Sequence, residues 1–211
     1  MEKQINFQSE DLTLEGLHHR GSSDHGVVIT HPHPLYGGDM FNHVVSAVTE
    51  VYQDLGYSTL RFNFRGVGGS QGRFGDGVGE QADVAAAVAC LDTHGIATVD
   101  LAGYSFGAWV NACWVGQGAT VQRMVMVSPP VAFIEFTDLG DFDCLKLVVT
   151  GDRDDIAPPA MIQQHLPAWN PTARLEIIKG ADHFYSGRLN QLKTILKALS
   201  IDITKNDYSD R

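Results

Sequence analysis

The stretch Thr98–Gly116, "TVDLAGYSFGAWVNACWVG", decides how the chain reads. Its first half is short, β-branched and apolar, as expected of a strand buried on both faces, and its second half is helix-like. Between them stands Gly103-Tyr104-Ser105-Phe106-Gly107, a GxSxG spacing at a strand-to-helix turn. The turn is so sharp that only glycine fits two residues either side of the serine, which takes a strained backbone conformation. Ser105 Oγ then projects from the strand end. The helix start behind it lends partial positive charge, and the NH of Phe106 is aimed at a developing oxyanion.

Working outward, "VVIT" (27–30), "STLRFNF" (58–64), "RMVMVS" (123–128), "LKLVVT" (145–150) and "RLEIIK" (174–179) read as further strands. Ahead of them, Ile5 and Phe7, then Leu12, Leu14 and Leu17, alternate around a polar turn, which suggests an antiparallel pair at a sheet edge. Helical stripes fill the gaps: Val44, Val48, Val51, Tyr52 and Leu55; Val84, Val88 and Leu91; Leu189, Leu192, Ile195, Leu196 and Leu199. Alternating strand and helix predict an α/β fold, a mostly parallel twisted sheet of about eight strands with helices on both faces. Ligands are expected beyond the carboxyl ends of the strands. Residues 1–199 form one domain in this reading, and 200–211, where periodicity fades, a loosely ordered tail.

The chain has 211 residues, 44% hydrophobic and 19% charged, with a formal net charge of -10. That suits a single globular domain and disfavours nucleic acid or anionic lipid as partners. "MEKQINFQSE" contains no apolar signal-like run, and no stretch is long enough to cross a bilayer. Cys90, Cys113 and Cys144 are odd in number and unpaired in spacing. A cytoplasmic protein is expected.

A serine hydroxyl is a poor nucleophile without a base to take its proton and a third group to orient the base. "GDRDDIAPP" (151–159) puts Asp152, Asp154 and Asp155 on the loop after one strand, and "GADHFYSG" (180–187) puts His183 after the last. The order serine, acid, histidine is that of the α/β-hydrolase triad. A second oxyanion donor should come from the loop after "VVIT", "HPHPLYGGDMFNH" (31–43). Pro32 and Pro34 have no NH, which leaves His33 or Leu35. His31 and His33 also form an HxH pair of the kind that binds metal in barrel enzymes, but such a barrel typically needs about 250 residues, and no metal or other cofactor is expected. "RGVGGSQGRFGDGVGE" (65–80) matches neither glycine-rich phosphate fingerprint.

These stretches together resemble the α/β-hydrolase superfamily over nearly the whole chain. "HPHPLYGGDM", "LRFNFRGVGGSQG", "GYSFGA", "GDRDDIAPP" and "GADHFYSG" look like compact bacterial serine hydrolases related to dienelactone hydrolases and carboxylesterases. The resemblance selects Asp154 as the acid and His33 as the second oxyanion donor, and gives Arg65 a bracing role. Dienelactone hydrolases proper carry cysteine where this chain has Ser105, so a carboxylesterase-like enzyme is expected, acting on small-molecule esters or thioesters of short acyl groups. A peptidase, a lactone hydrolase and a non-catalytic binding module are the alternatives. The segment between the strands at 123–128 and 145–150 is too short for a lid domain. An open site is therefore expected, lined by Tyr36, Phe133 and Phe184, with Phe106, Trp109, Ile134 and Phe136 as further candidates.

Overall fold

The structure, a computed structural model, describes residues 1–137 and 139–207. Its strands are β1 (Lys3–Ser9), β2 (Leu12–His19), β3 (His25–Thr30), β4 (Ser58–Phe62), β5 (Thr98–Tyr104), β6 (Arg123–Val127), β7 (Leu145–Gly151) and β8 (Arg174–Ile178). The helices are α1 (His43–Asp54), α2 (Val78–Thr93), α3 (Phe106–Gly116), α4 (Pro159–Trp169) and α5 (Leu189–Asp207). All eight strands join one sheet in the order β1-β2-β4-β3-β5-β6-β7-β8. β2 pairs antiparallel with both β1 and β4, and every other pairing is parallel. The expected antiparallel pair lies at the sheet edge.

Side chains along the central strands divide between two cores with the two-residue period of a strand. Val28, Leu101, Met124 and Met126 face one core, closed by residues of α2, α3 and α4. Val27, Ile29, Val125 and Val127 face the other, closed by α1 and α5. Complete burial of a side chain of this size contributes about 1.5–3 kcal/mol, so central strands covered on both faces carry continuous apolar runs. β8 departs from that expectation: it is the far edge strand, only Ile178 of its five residues is buried, and Ile177 is exposed.

The last helix continues to Asp207, beyond Leu199, where the loss of apolar repeat predicts its end. Leu192 and Leu196 are its buried contacts. The side chain of Leu199 and residues 208–211 lie outside the described residues. Between β6 and β7, residues 128–144 contain no helix or strand among the described residues, so no helical lid is built there over the carboxyl end of the sheet. No helix among the described residues is long and apolar enough to cross a membrane.

Candidate active site

The carboxyl ends of β3, β5, β7 and β8 bring the expected site residues together. Ser105 sits between β5 and α3 with φ 53° and ψ -121°, a left-handed-side conformation that a side chain rarely adopts. The flanking glycines explain how the turn closes. A Cβ on Gly103 would lie 2.5 Å from Ala108 Cα, and one on Gly107 would lie 2.6 Å from Thr30 Oγ1.

Ser105 Oγ is 3.0 Å from His183 Nε2, and His183 Nδ1 is 2.9 Å from both carboxylate oxygens of Asp154. An ionised carboxylate only accepts hydrogen bonds, so Nδ1 carries the ring proton and Nε2 turns its lone pair to the serine hydroxyl. Asp154 is buried, whereas Asp152 and Asp155 are exposed. Asp152 accepts from the NH of Gly180 and thereby braces the loop that carries His183. Burial pushes the Asp154 carboxyl up. The hydrogen bond and charge of His183, the NH of Ala157 and the Ser128 hydroxyl together outweigh burial and hold it below the usual carboxylate range. The NH groups of Ile156 and Ala157 reach Asp154 Oδ1 at 3.0 and 2.8 Å.

The HPHP loop is a backbone device. His31 is fully buried, with Nδ1 2.6 Å from the Pro32 carbonyl and Nε2 accepting the NH of Phe64 at 3.0 Å. Both ring nitrogens are thus committed. Desolvation lowers its pKa to about 4, which keeps the ring neutral. His33 caps a single 3-10 turn, Pro34–Tyr36, and its Nδ1 accepts the NH of Leu35 at 3.2 Å. Gly38 donates to the His33 carbonyl at 3.0 Å and has no room for a Cβ, which would lie 2.0 Å from the Pro32 oxygen. Among the described residues, the NH groups of His33 and Phe106 donate no hydrogen bond. The two rings pack with centroids 4.7 Å apart, so the two loops meet.

Two groups without a role in the sequence reading hold the His183 loop. Tyr104 Oη donates to the His183 carbonyl at 2.9 Å, and His43 Nε2 lies 2.8 Å from the Phe184 carbonyl. Tyr104 fills an unspecified position of GxSxG, and His43 opens α1, so neither carries a local signal. Arg65 braces as expected, with Nε and Nη2 on the buried carboxylate of Asp83 and Nη2 3.1 Å from Glu10.

A cavity of about 670 Å³ opens over Ser105 and His183, bordered by Tyr36, Phe106, Phe133, Ile134 and Phe184 among others. Trp109 and Phe136 are not part of it. Trp109 instead donates its Nε1 proton to the Glu135 carbonyl, and Phe136 is buried in the core against Trp169. Both follow the chain toward helix-facing packing, away from the open strand ends.

No family model matches the chain. An uncharacterized protein of Rickettsia prowazekii (strain Madrid E) is 33% identical over 215 residues, covering 96% of this chain and 90% of that protein. An alpha-beta serine hydrolase homologue from Coxiella burnetii superposes with a TM-score of 0.87 at 34% identity, covering 93% of this chain and 96% of that one. An α/β serine hydrolase without a lid from Xanthomonas campestris gives a TM-score of 0.87 at 27% identity over 94% of this chain and 93% of that one. The Est1E protein of Butyrivibrio proteoclasticus, bound to ferulic acid, shares the fold at 17% identity with a TM-score of 0.78, covering 94% of this chain and 98% of that one. Sheet order, elbow and relatives agree: the chain belongs to the α/β serine hydrolase superfamily.

Proposed function

We propose that the protein is a serine hydrolase that cleaves carboxylic esters or thioesters of small acyl groups through an acyl-enzyme on Ser105. The observation that carries this reading is the unbroken relay from Ser105 Oγ through His183 to Asp154, each step within 3.0 Å.

His183 Nε2 takes the Ser105 proton as Oγ attacks the acyl carbon, and the resulting oxyanion is held by the NH groups of Phe106 and His33. Leu35 is the weaker candidate for the second donor, since its NH is engaged by His33 Nδ1. The imidazolium returns its proton to the departing oxygen or sulfur as the carbon–heteroatom bond breaks. Water then enters, gives a proton to His183 and attacks the acyl carbon, and the proton returns to Ser105 as the acid leaves. Asp154 keeps the productive tautomer and stabilises the imidazolium. Tyr36, Phe133 and Phe184 are the substrate-contacting side chains, each exposed at the cavity mouth.

The test is turnover of p-nitrophenyl acetate and butyrate, with a matched thioester, by the wild type and by Ser105→Ala. The reading expects wild-type hydrolysis and a fall in kcat of about 10⁴-fold or more in the variant. Equal rates in the two proteins would remove Ser105 from the chemistry.

A further inference from the structure

We infer that the site selects uncharged esters with an apolar acyl chain and discriminates against acyl chains that carry a carboxylate. This inference rests on the hydrolase reading above and concerns what that site admits.

None of the residues lining the cavity over Ser105 is a lysine, an arginine, an aspartate or a glutamate. Its walls include Phe106, Pro130, Phe133, Ile134 and Ile156. A carboxylate carried into such walls sheds its water and gains no cationic partner, a loss that outweighs the apolar contacts of the methylenes attached to it. A methyl terminus at the same depth incurs no such loss.

The field at the mouth has the same sign. Burial lowers the pKa of the His33 ring against the pull of Glu80 and Asp76, and burial raises that of the Tyr104 hydroxyl, with the charges of Asp154 and Asp182 adding to the rise. His33 and Tyr104 both border the cavity, so the carboxylates acting on them add negative charge around it although none of them lines it. The chain as a whole carries a formal charge of -10. An anionic acyl chain is therefore repelled on approach and unpaired on arrival. The exposed aromatic rim adds the complementary preference: Tyr36 is 87%, Phe133 74% and Phe184 56% accessible, surfaces that lose water only when an apolar group covers them.

The test compares p-nitrophenyl hexanoate with the mono-p-nitrophenyl ester of adipic acid. The two share leaving group and chain length, and differ in a terminal methyl against a terminal carboxylate. Each preparation is first shown to label on Ser105 with a fluorophosphonate. The expected result is a kcat/KM at least about tenfold higher for hexanoate, narrowing but persisting as salt screens the mouth. Phe133→Lys, an exposed position, should shift the ratio toward the adipate ester by about three- to fivefold. Equal wild-type rates in a labelled preparation, or a ratio that Phe133→Lys leaves untouched, overturns the charge selection alone. Absence of label together with absence of turnover overturns the hydrolase reading and this inference with it.

Discussion

The Tyr104 hydroxyl donates a 2.9 Å hydrogen bond to the backbone carbonyl of His183, so the residue before the elbow serine holds the loop that carries its partner. Its ring also lies against the imidazole, with centroids 5.5 Å apart. Removing the hydroxyl leaves the ring in place and one buried carbonyl unpaired, a loss of about 1 kcal/mol. Tyr104→Phe should therefore lower kcat and the rate of fluorophosphonate labelling about fivefold, with KM nearly unchanged. A labelling rate equal to wild type would show that the His183 loop holds its position without Tyr104.

The acid assignment separates cleanly by burial. Asp154→Asn keeps the shape but presents an amide to His183 Nδ1, and kcat should fall about 10⁴-fold with the circular dichroism spectrum retained. Asp155 is exposed, and the carboxylate on His183 Nδ1 is that of Asp154, so Asp155→Asn should leave kcat within about twofold. Steady-state kinetics on the two variants decides between the carboxylates.

The elbow tolerates no added methyl. Gly103→Ala and Gly107→Ala would set a Cβ 2.5 and 2.6 Å from Ala108 Cα and Thr30 Oγ1, and each is expected to destabilise by about 3 kcal/mol or fail to fold. Gly95→Ala meets nothing within 4 Å and incurs only the strain of its positive φ, about 1 kcal/mol. Urea unfolding should place Gly95→Ala well above both elbow variants in stability.

Stability should depend on pH through two buried groups of opposite sign. His31 titrates near 6.5 in the unfolded chain and near 4 in the fold, because burial disfavours its charged form. Between those values the unfolded chain binds more protons, so this contribution is present above pH 6.5 and is lost as pH falls toward 4, by about 3 kcal/mol at most. Asp100 is pushed up to about 7 by burial, against the pull of Arg123. The folded state therefore binds its proton more tightly between 3.8 and about 7, and this contribution is present at low pH and lost as pH rises. Denaturant unfolding at pH 7 and pH 5 should show a smaller loss on acidification in His31→Gln than in wild type, and a larger one in Asp100→Asn.

The elbow, the strand alternation and the histidine after the last strand were legible because each is a local pattern with a mechanical cause. Ser105 and His183 stand where glycine spacing and strand ends put them. Asp154 was legible only through family resemblance, since Asp152, Asp154 and Asp155 differ in burial and not in local pattern. Tyr104 and His43 act through carbonyls far away in sequence, and no short-range signal marks such a contact. Trp109 and Phe136 read equally as wall or core, and the helix and loop that carry them turn inward. β8 ends in the β-branched pair Ile177 and Ile178, which reads like the central strands, yet as an edge strand it is covered less.

The central claim is that Ser105 is an activated nucleophile. Fluorophosphonate labelling with peptide mass mapping, on the wild type and on Ser105→Ala, tests it most directly. The account predicts stoichiometric label confined to Ser105 in the wild type and none in the variant, with labelling slowed by Asp154→Asn. A folded wild type that takes no label, or takes it equally after Ser105→Ala, would contradict it.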